Sequence, residues 1–320
     1  MKPTLTNRLL KERHVFGLGV FLLALAILLP FSVMAIHAAI WNPPPPDTTK
    51  NAGDLRPSMV VLEGGVFLMG SPGDEPDRDD DEEQHEVEIS PFMISLTEVT
   101  QGQYKEVMAK NPVETEREIF GGPCSEAGVG GDLPVVCVTW FEAVRYCNLL
   151  SEREGLPPVY EGLETDRPTR IPGSTGYRLL TEAEWEFAAR AGTSTRWVGT
   201  SDEKLVCDYG NVGEGFACDD GYATLAPADA KRANRWLLHG FGGNAAEWVW
   251  DTYSKTFPAG GKDPVADDTG AFLPSVRVLR GGSWWGDPRS SRVAIRGWFD
   301  PSGRSLVVGF RVARSLPSAL

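Results

Sequence analysis

The chain has 320 residues, 42% of them hydrophobic and 23% charged, which supports a packed core and excludes wholesale disorder. Its 31 Lys and Arg against 44 Asp and Glu leave a formal charge of −13, which repels phosphate backbones and excludes nucleic acid as a partner. With 35 Gly, 24 Pro and 10 Trp it is a turn-rich chain, and its 4 His and 5 Cys restrict the metal chemistry available.

Residues 1–14 carry Lys2, Arg8, Lys11 and Arg13 against Glu12, and from Val15 to Trp41 there is no Asp, Glu, Lys or Arg. About 20 apolar residues span a bilayer, and a basic flank stays in the cytoplasm. Residues 15–41 therefore read as a single-pass inner-membrane signal anchor with a periplasmic body. Pro30 followed by Val33-Met34-Ala35 keeps a second reading open, a signal peptide cleaved to release the body into the periplasm. Residues 42–57, with Pro43 to Pro46 in succession, form a semi-rigid linker. Beyond residue 41 the chain carries 27 bases and 43 acids, so the exported part does not read anionic membrane surfaces. In an oxidising compartment Cys124–Cys137 and Cys207–Cys218 are expected as short-loop disulfides, leaving Cys147 as a buried thiol.

Residues 58–315 read as one loop-rich α+β domain, with 316–320 as a tail. The apolar runs on either side of Gly64-Gly65 predict a β-hairpin. The acidic stretch from Asp74 to Glu86, opposed only by Arg78, is expected to be a solvated loop. Three helix starts share the capping-box pattern: Thr100 with Gln103, Thr139 with Glu142, and Thr181 with Glu184. The first helix presents Tyr104, Val107 and Met108 on one face and stops before Asn111-Pro112. The second presents Phe141, Val144, Cys147 and Leu150. The third carries Trp185, Ala188 and Ala189 and is closed by Gly192. After Gly192 helical periodicity fades into short apolar pieces separated by Gly, Asn and Asp.

Several motifs then fall into a known order. They are Met69-Gly70-Ser71, Glu98-Val99-Thr100, Cys147-Asn148, Gly176-Tyr177-Arg178-Leu179 and Thr181-Glu182-Ala183-Glu184-Trp185-Glu186. Gly243-Asn244 with Glu247-Trp248, Arg280-Gly281-Gly282-Ser283-Trp284 and Gly309-Phe310-Arg311 follow. Together they resemble the sulfatase-modifying-factor family, whose best known members are formylglycine-generating enzymes. The resemblance implies an irregular α+β fold related to C-type lectins.

Active enzymes of that family hold Cu(I) between two cysteines after the Gly-Gly-Ser motif, soft ligands that suit the ion. The matching positions here are Gly286 and Ser291, and neither supplies a thiolate. Relatives that make thiohistidines hold iron with three histidines, whereas only His85 and His239 remain after residue 41, and both read as ordinary surface or core residues. The resemblance further implies a structural calcium ion at Asn211, Val212, Asp220 and Tyr222, an all-oxygen set that suits a hard cation. A second calcium set would be Gly243, Ala245 and Glu247, weakened because Gly240 brings no side-chain oxygen. By analogy Ser283, Trp284, Trp285, Arg296 and Trp298 line the cleft, with Ser283, Glu247 and Arg296 as the catalytic candidates. The expected function is an exported, membrane-tethered binding or scaffolding module for a peptide, a glycan or a cell-envelope protein. The alternative is a periplasmic enzyme of the same family that uses a site other than the two-cysteine copper site.

Overall fold

The computed structural model describes residues 56–118, 122–213, 219–257, 260–267 and 276–317. The anchor at 15–41 and nearly all of the linker lie outside these residues, as do Cys218 and the end of the tail. Among the described residues no helix is long and apolar enough to cross a membrane.

The three predicted capping boxes all form. Thr100 caps α1 (Gln101–Met108), Thr139 caps α3 (Trp140–Arg153) and Thr181 caps α4 (Glu182–Arg190). In each the threonine hydroxyl accepts the N–H three residues on, and that residue's side chain accepts the threonine N–H. Asn111 caps the single turn α2 (Pro112–Thr115), with proline at the first helical position where its missing N–H costs nothing. A last turn, α5 (Val206–Tyr209), follows α4. α4 ends one residue earlier than its glycine suggested, with Ala191 itself at φ 45°.

The strands are β1 (Met59–Leu62), β2 (Gly65–Met69), β3 (His85–Ile89), β4 (Phe92–Ser95), β5 (Tyr160–Glu161), β6 (Thr169–Arg170), β7 (Tyr177–Arg178) and β8 (Gly210–Asn211). They continue with β9 (Gly242–Gly243), β10 (Ala246–Thr252), β11 (Gly261–Lys262), β12 (Arg277–Arg280), β13 (Gly297–Phe299), β14 (Val308–Phe310) and β15 (Ala313–Ser315). One sheet has the order β1-β4-β15-β7 and is antiparallel throughout. A second has the order β13-β12-β10-β14, with β10 and β14 parallel. A third runs β11-β3-β2, and β5–β6 and β8–β9 make two small pairs. This is a mixed, loop-rich α+β architecture, as the sequence indicates.

The hairpin predicted at Gly64-Gly65 does not form. β1 pairs with β4 and β2 with β3, so the two glycines carry the chain from one sheet to another. Gly64 sits at φ +72°, where a Cβ would lie 2.2 Å from the Ile89 carbonyl oxygen. Only glycine makes that crossing without moving the backbone.

α4 organises the interior. Every residue from Glu182 to Arg190 is buried, including three glutamates. Each glutamate meets arginine: Glu182 meets Arg296, Glu184 meets Arg178, and Glu186 meets both Arg190 and Arg280. Buried charge persists only when paired and hydrogen-bonded, and here the arginines come from four separate stretches of chain. Cys124 and Cys137 form the expected disulfide, with Cα atoms 6.1 Å apart, and Cys147 is a buried free thiol. Cys207 is also disulfide-bonded.

The acidic stretch is a largely solvated loop, with Asp74, Asp77, Asp79, Asp80, Glu83 and Glu86 exposed, but it is anchored at one buried point. Glu82 is fully buried and takes both Arg292 Nη atoms at 2.6 and 2.8 Å, while Glu75 takes Arg292 Nη1 at 2.9 Å. Asp77 binds Arg196 and Asp81 accepts the Tyr253 hydroxyl. The opposing charge that local sequence lacks is supplied from far along the chain.

Candidate functional site

β12 leads into the Arg280-Gly281-Gly282-Ser283 segment, which is buried except at the half-buried Gly282. Gly281 and Gly282 have φ +93° and +69°, and a Cβ on Gly282 would lie 2.5 Å from the Ser290 carbonyl oxygen. The glycines let the chain fold back so that Trp284 N–H donates to the Asn244 carbonyl at 2.9 Å. The Trp284 indole then turns inward and donates to the Leu306 carbonyl at 3.2 Å. Trp285 points out, 69% exposed, with its ring 5.3 Å from that of Trp284. On β13, Trp298 is 56% exposed and tilts against Tyr253 at 6.2 Å. Ser283 is buried.

Two of the predicted cleft residues belong to the interior instead. Trp284 is a core residue. Arg296 clamps Glu182 through Nε and Nη2 at 2.7 and 2.9 Å, gives Nη1 to the Ser254 carbonyl, and lies over the Phe257 ring at 4.1 Å. Its guanidinium is committed to holding α4. Glu247, the other charged candidate, accepts the Trp185 indole N–H at 2.8 Å and receives Arg311 through Nε and Nη2 at 2.7–2.9 Å. Of the predicted cleft residues, Trp285 and Trp298 are the ones exposed to solvent.

At the positions matched to the copper cysteines neither residue supplies a thiolate. A Cβ on Gly286 would lie 2.3 Å from Ser290 Oγ, so a serine hydroxyl fills the space where a ligand side chain would begin. Ser291 is fully buried and its hydroxyl has no partner. No cluster of three His, Cys, Asp or Glu able to hold a metal exists among the described residues. His85 Nδ1 pairs with the Glu83 carbonyl and His239 Nδ1 with the Lys231 carbonyl.

The first calcium set is brought together. Asn211 is fully buried; its amide donates to the Thr224 carbonyl and to Asn244 Oδ1, while its own Oδ1 has no partner. Asp220 closes the loop by accepting Val212 N–H at 2.7 Å and Tyr222 N–H at 2.9 Å. A buried acceptor oxygen without a donor, beside a carboxylate, fits a hard cation. The second set does not fit: both Glu247 oxygens are taken by Arg311 and Trp185. Beside it Gly240 stands against Glu98, whose Oε2 would lie 2.1 Å from a Cβ there.

Glu98 is the group that chemical reasoning from sequence missed. It is fully buried, accepts Asn244 Nδ2 through Oε1 at 3.1 Å, and has no partner for Oε2. Burial pushes its carboxyl up to about 8; Arg311 opposes the rise and Glu247 adds to it. The sequence signal was its place in the Glu98-Val99-Thr100 motif, two residues before the Thr100 cap, which gave no hint of a buried carboxyl. A recess of about 370 Å³ lined by Val159, Arg170, Ser174, Arg178 and Ser315 shares no residue with the tryptophan cleft.

A Gly-Gly-Ser turn followed by an exposed tryptophan, on this arrangement of small sheets around a buried glutamate-rich helix, marks a class of irregular α+β domain. The family model described as "Sulfatase-modifying factor enzyme 1-like domain" matches residues 45–316, and the chain belongs to that family. Chaperone protein LppX of Paenibacillus barcinonensis is 28% identical, over 84% of this chain and 93% of the relative. The inactive C-alpha-formylglycine-generating enzyme 2 of Mus musculus is 29% identical, over 81% and 86%. The formylglycine-generating enzyme of Streptomyces coelicolor is also 29% identical, over 86% and 96%. Among solved structures, PvdO from Pseudomonas aeruginosa superposes with a TM-score of 0.67 at 28% identity, covering 82% of this chain and 96% of that one. Treponema denticola variable protein 1 gives 0.68 at 28% identity, over 83% and 98%.

Proposed function

We propose that the protein is an exported, membrane-tethered binding or scaffolding module without formylglycine-generating activity. Its ligand, a peptide, a glycan or a cell-envelope protein, docks on Ser283, Trp285 and Trp298. The observation that carries this reading is the copper position, where Gly286 and Ser291 stand in place of the two cysteines. Exposed indoles, Trp285 after the Gly-Gly-Ser turn and Trp298 on β13, suit recognition by stacking and apolar contact. The tether rests on the uncharged run 15–41, and a calcium ion at Asn211, Val212, Asp220 and Tyr222 would hold the loop under the cleft. That relatives include a protein named as a chaperone and one named as inactive supports a role without catalysis. The enzyme alternative loses its candidates: Glu247 and Arg296 are held in interior ion pairs, and a lone serine without an adjacent base is a poor nucleophile.

The test is to incubate full-length protein, loaded with Cu(I), with a Cys-x-Pro-x-Arg peptide and follow the peptide by mass spectrometry. No aldehyde is expected, and its formation would overturn the reading. In parallel, a cell-envelope fraction should be retained by the wild-type protein and released by Trp285→Ala with Trp298→Ala. Equal retention by both would remove the cleft from the proposal.

A further inference from the structure

We propose that the outer edge of β2 is a second docking surface, which accepts an extended partner segment carrying arginine or lysine at alternate positions. β3 pairs one edge of β2, and no strand among the described residues pairs the other. An outer strand leaves a row of backbone N–H and C=O groups open to a further strand. Proteins usually block such edges with lysine, proline, a bulge or an inward charge. β2, Gly65-Val66-Phe67-Leu68-Met69, has none of these. Its outward residues Val66 and Leu68 are instead 59% and 54% exposed, while Phe67 packs inward on Phe187.

The neighbouring strand sets the chemistry of the occupant. Val66 lies opposite Glu88 and Leu68 opposite Glu86, so the same outward face carries an apolar strip backed by an acidic row. Lys262 on β11 meets Glu88 at 3.1 Å, and both side chains are at least half exposed, so this pair holds the acidic row only weakly. A strand added to β2 would lie about 10 Å from β3, two strand spacings away. A long basic side chain spans that gap, laying its methylene stem across Val66 or Leu68 and its charged head at Glu86 or Glu88. An apolar partner strand would leave the acids unanswered. A second copy of this chain, itself strongly acidic, would add like charge.

The experiment titrates full-length protein with a capped seven-residue peptide alternating arginine and valine, followed by calorimetry at low salt. Two control peptides alternate glutamate with valine and arginine with proline. Saturable binding of the arginine–valine peptide alone is expected, at least tenfold weaker to Val66→Lys with Leu68→Lys, and weakened by added salt. Leu68→Thr, which keeps strand propensity, should weaken it severalfold should the double-lysine variant fail to fold. Glu86→Gln with Glu88→Gln should weaken binding and flatten its salt dependence. Failure of the arginine–valine peptide to bind overturns the proposal, as does equal binding of the arginine–proline peptide or indifference to the β2 variants. Dimerisation abolished by Val66→Lys with Leu68→Lys, measured by sedimentation, overturns it in favour of a second copy.

Discussion

Arg292 gives the sharpest test of how this fold is held. It is fully buried, as is Glu82, and joins it through two hydrogen bonds while also holding Glu75, across more than 200 residues of sequence. Arg292→Leu would leave the Glu82 carboxylate buried with only the Ser71 hydroxyl and the Asp79 N–H for company. Removing one partner of a buried pair typically costs about 3–5 kcal/mol. For a domain of this size that corresponds to a fall of about 6–20 °C in thermal midpoint. The loss should depend on pH. In the wild type, burial pushes the Glu82 carboxyl up, but hydrogen bonds from Arg292 and Ser71 and the Arg292 charge outweigh it and hold the group below its ordinary 4.5. The stabilisation is therefore present above pH 4.5 and lost as pH falls through the lower folded-state value. In the variant only the Ser71 and Asp79 hydrogen bonds still oppose burial, so the folded-state value rises relative to the wild type and the stabilisation held above pH 4.5 shrinks. The gap between the two proteins should be widest at neutral pH and narrow towards pH 4, and Arg292→Leu with Glu82→Leu should recover part of it. Urea unfolding across pH reads all three proteins. A neutral-pH gap under about 1 kcal/mol, the scale of an exposed ion pair, would refute the reasoning, as would a gap that does not change with pH.

Replacing Cys124 and Cys137 with serine opens a link across 13 residues of chain and should cost about 3 kcal/mol in urea unfolding. Burial raises Glu98 from 4.5 to about 8 and, with Glu182 adding, Asp251 from 3.8 to about 7. Both acids hold their proton more tightly in the fold than in the unfolded chain, so each contributes stability that is full below its ordinary value and falls as pH rises to its folded value. Glu98→Gln should remove the Glu98 share of that decline between pH 4.5 and 8, and an unchanged pH profile would show that Glu98 is ionised in the fold. If calcium occupies the Asn211 loop, chelation should lower the thermal midpoint of the wild type but not of Asp220→Ala; a wild-type midpoint that ignores the chelator would reject the ion.

What could be read from sequence was local or carried by motif. The capping boxes at Thr100, Thr139 and Thr181 involve atoms three residues apart, so their partners are visible in any window of the chain. The Cys124–Cys137 bridge and the buried Cys147 follow from short separation and helical spacing. The motif order placed the fold, and the absence of cysteine at 286 and 291 needed no coordinates.

The tertiary structure decided whatever depends on a distant partner. Gly64-Gly65 looked like a hairpin turn because apolar runs flank it, yet β1 finds its mate at Phe92–Ser95 and β2 at His85–Ile89. Arg296, Glu247 and Trp284 have the chemistry of a cleft, and only the fold shows them turned inward to Glu182, Arg311 and the Leu306 carbonyl. The acidic loop keeps most of its carboxylates exposed, and only the fold shows Asp77 and Glu82 meeting Arg196 and Arg292 more than 100 residues further on. A charge seeks a counter-charge through space, and burial strengthens that demand, so its outcome is set by which segments the fold brings together.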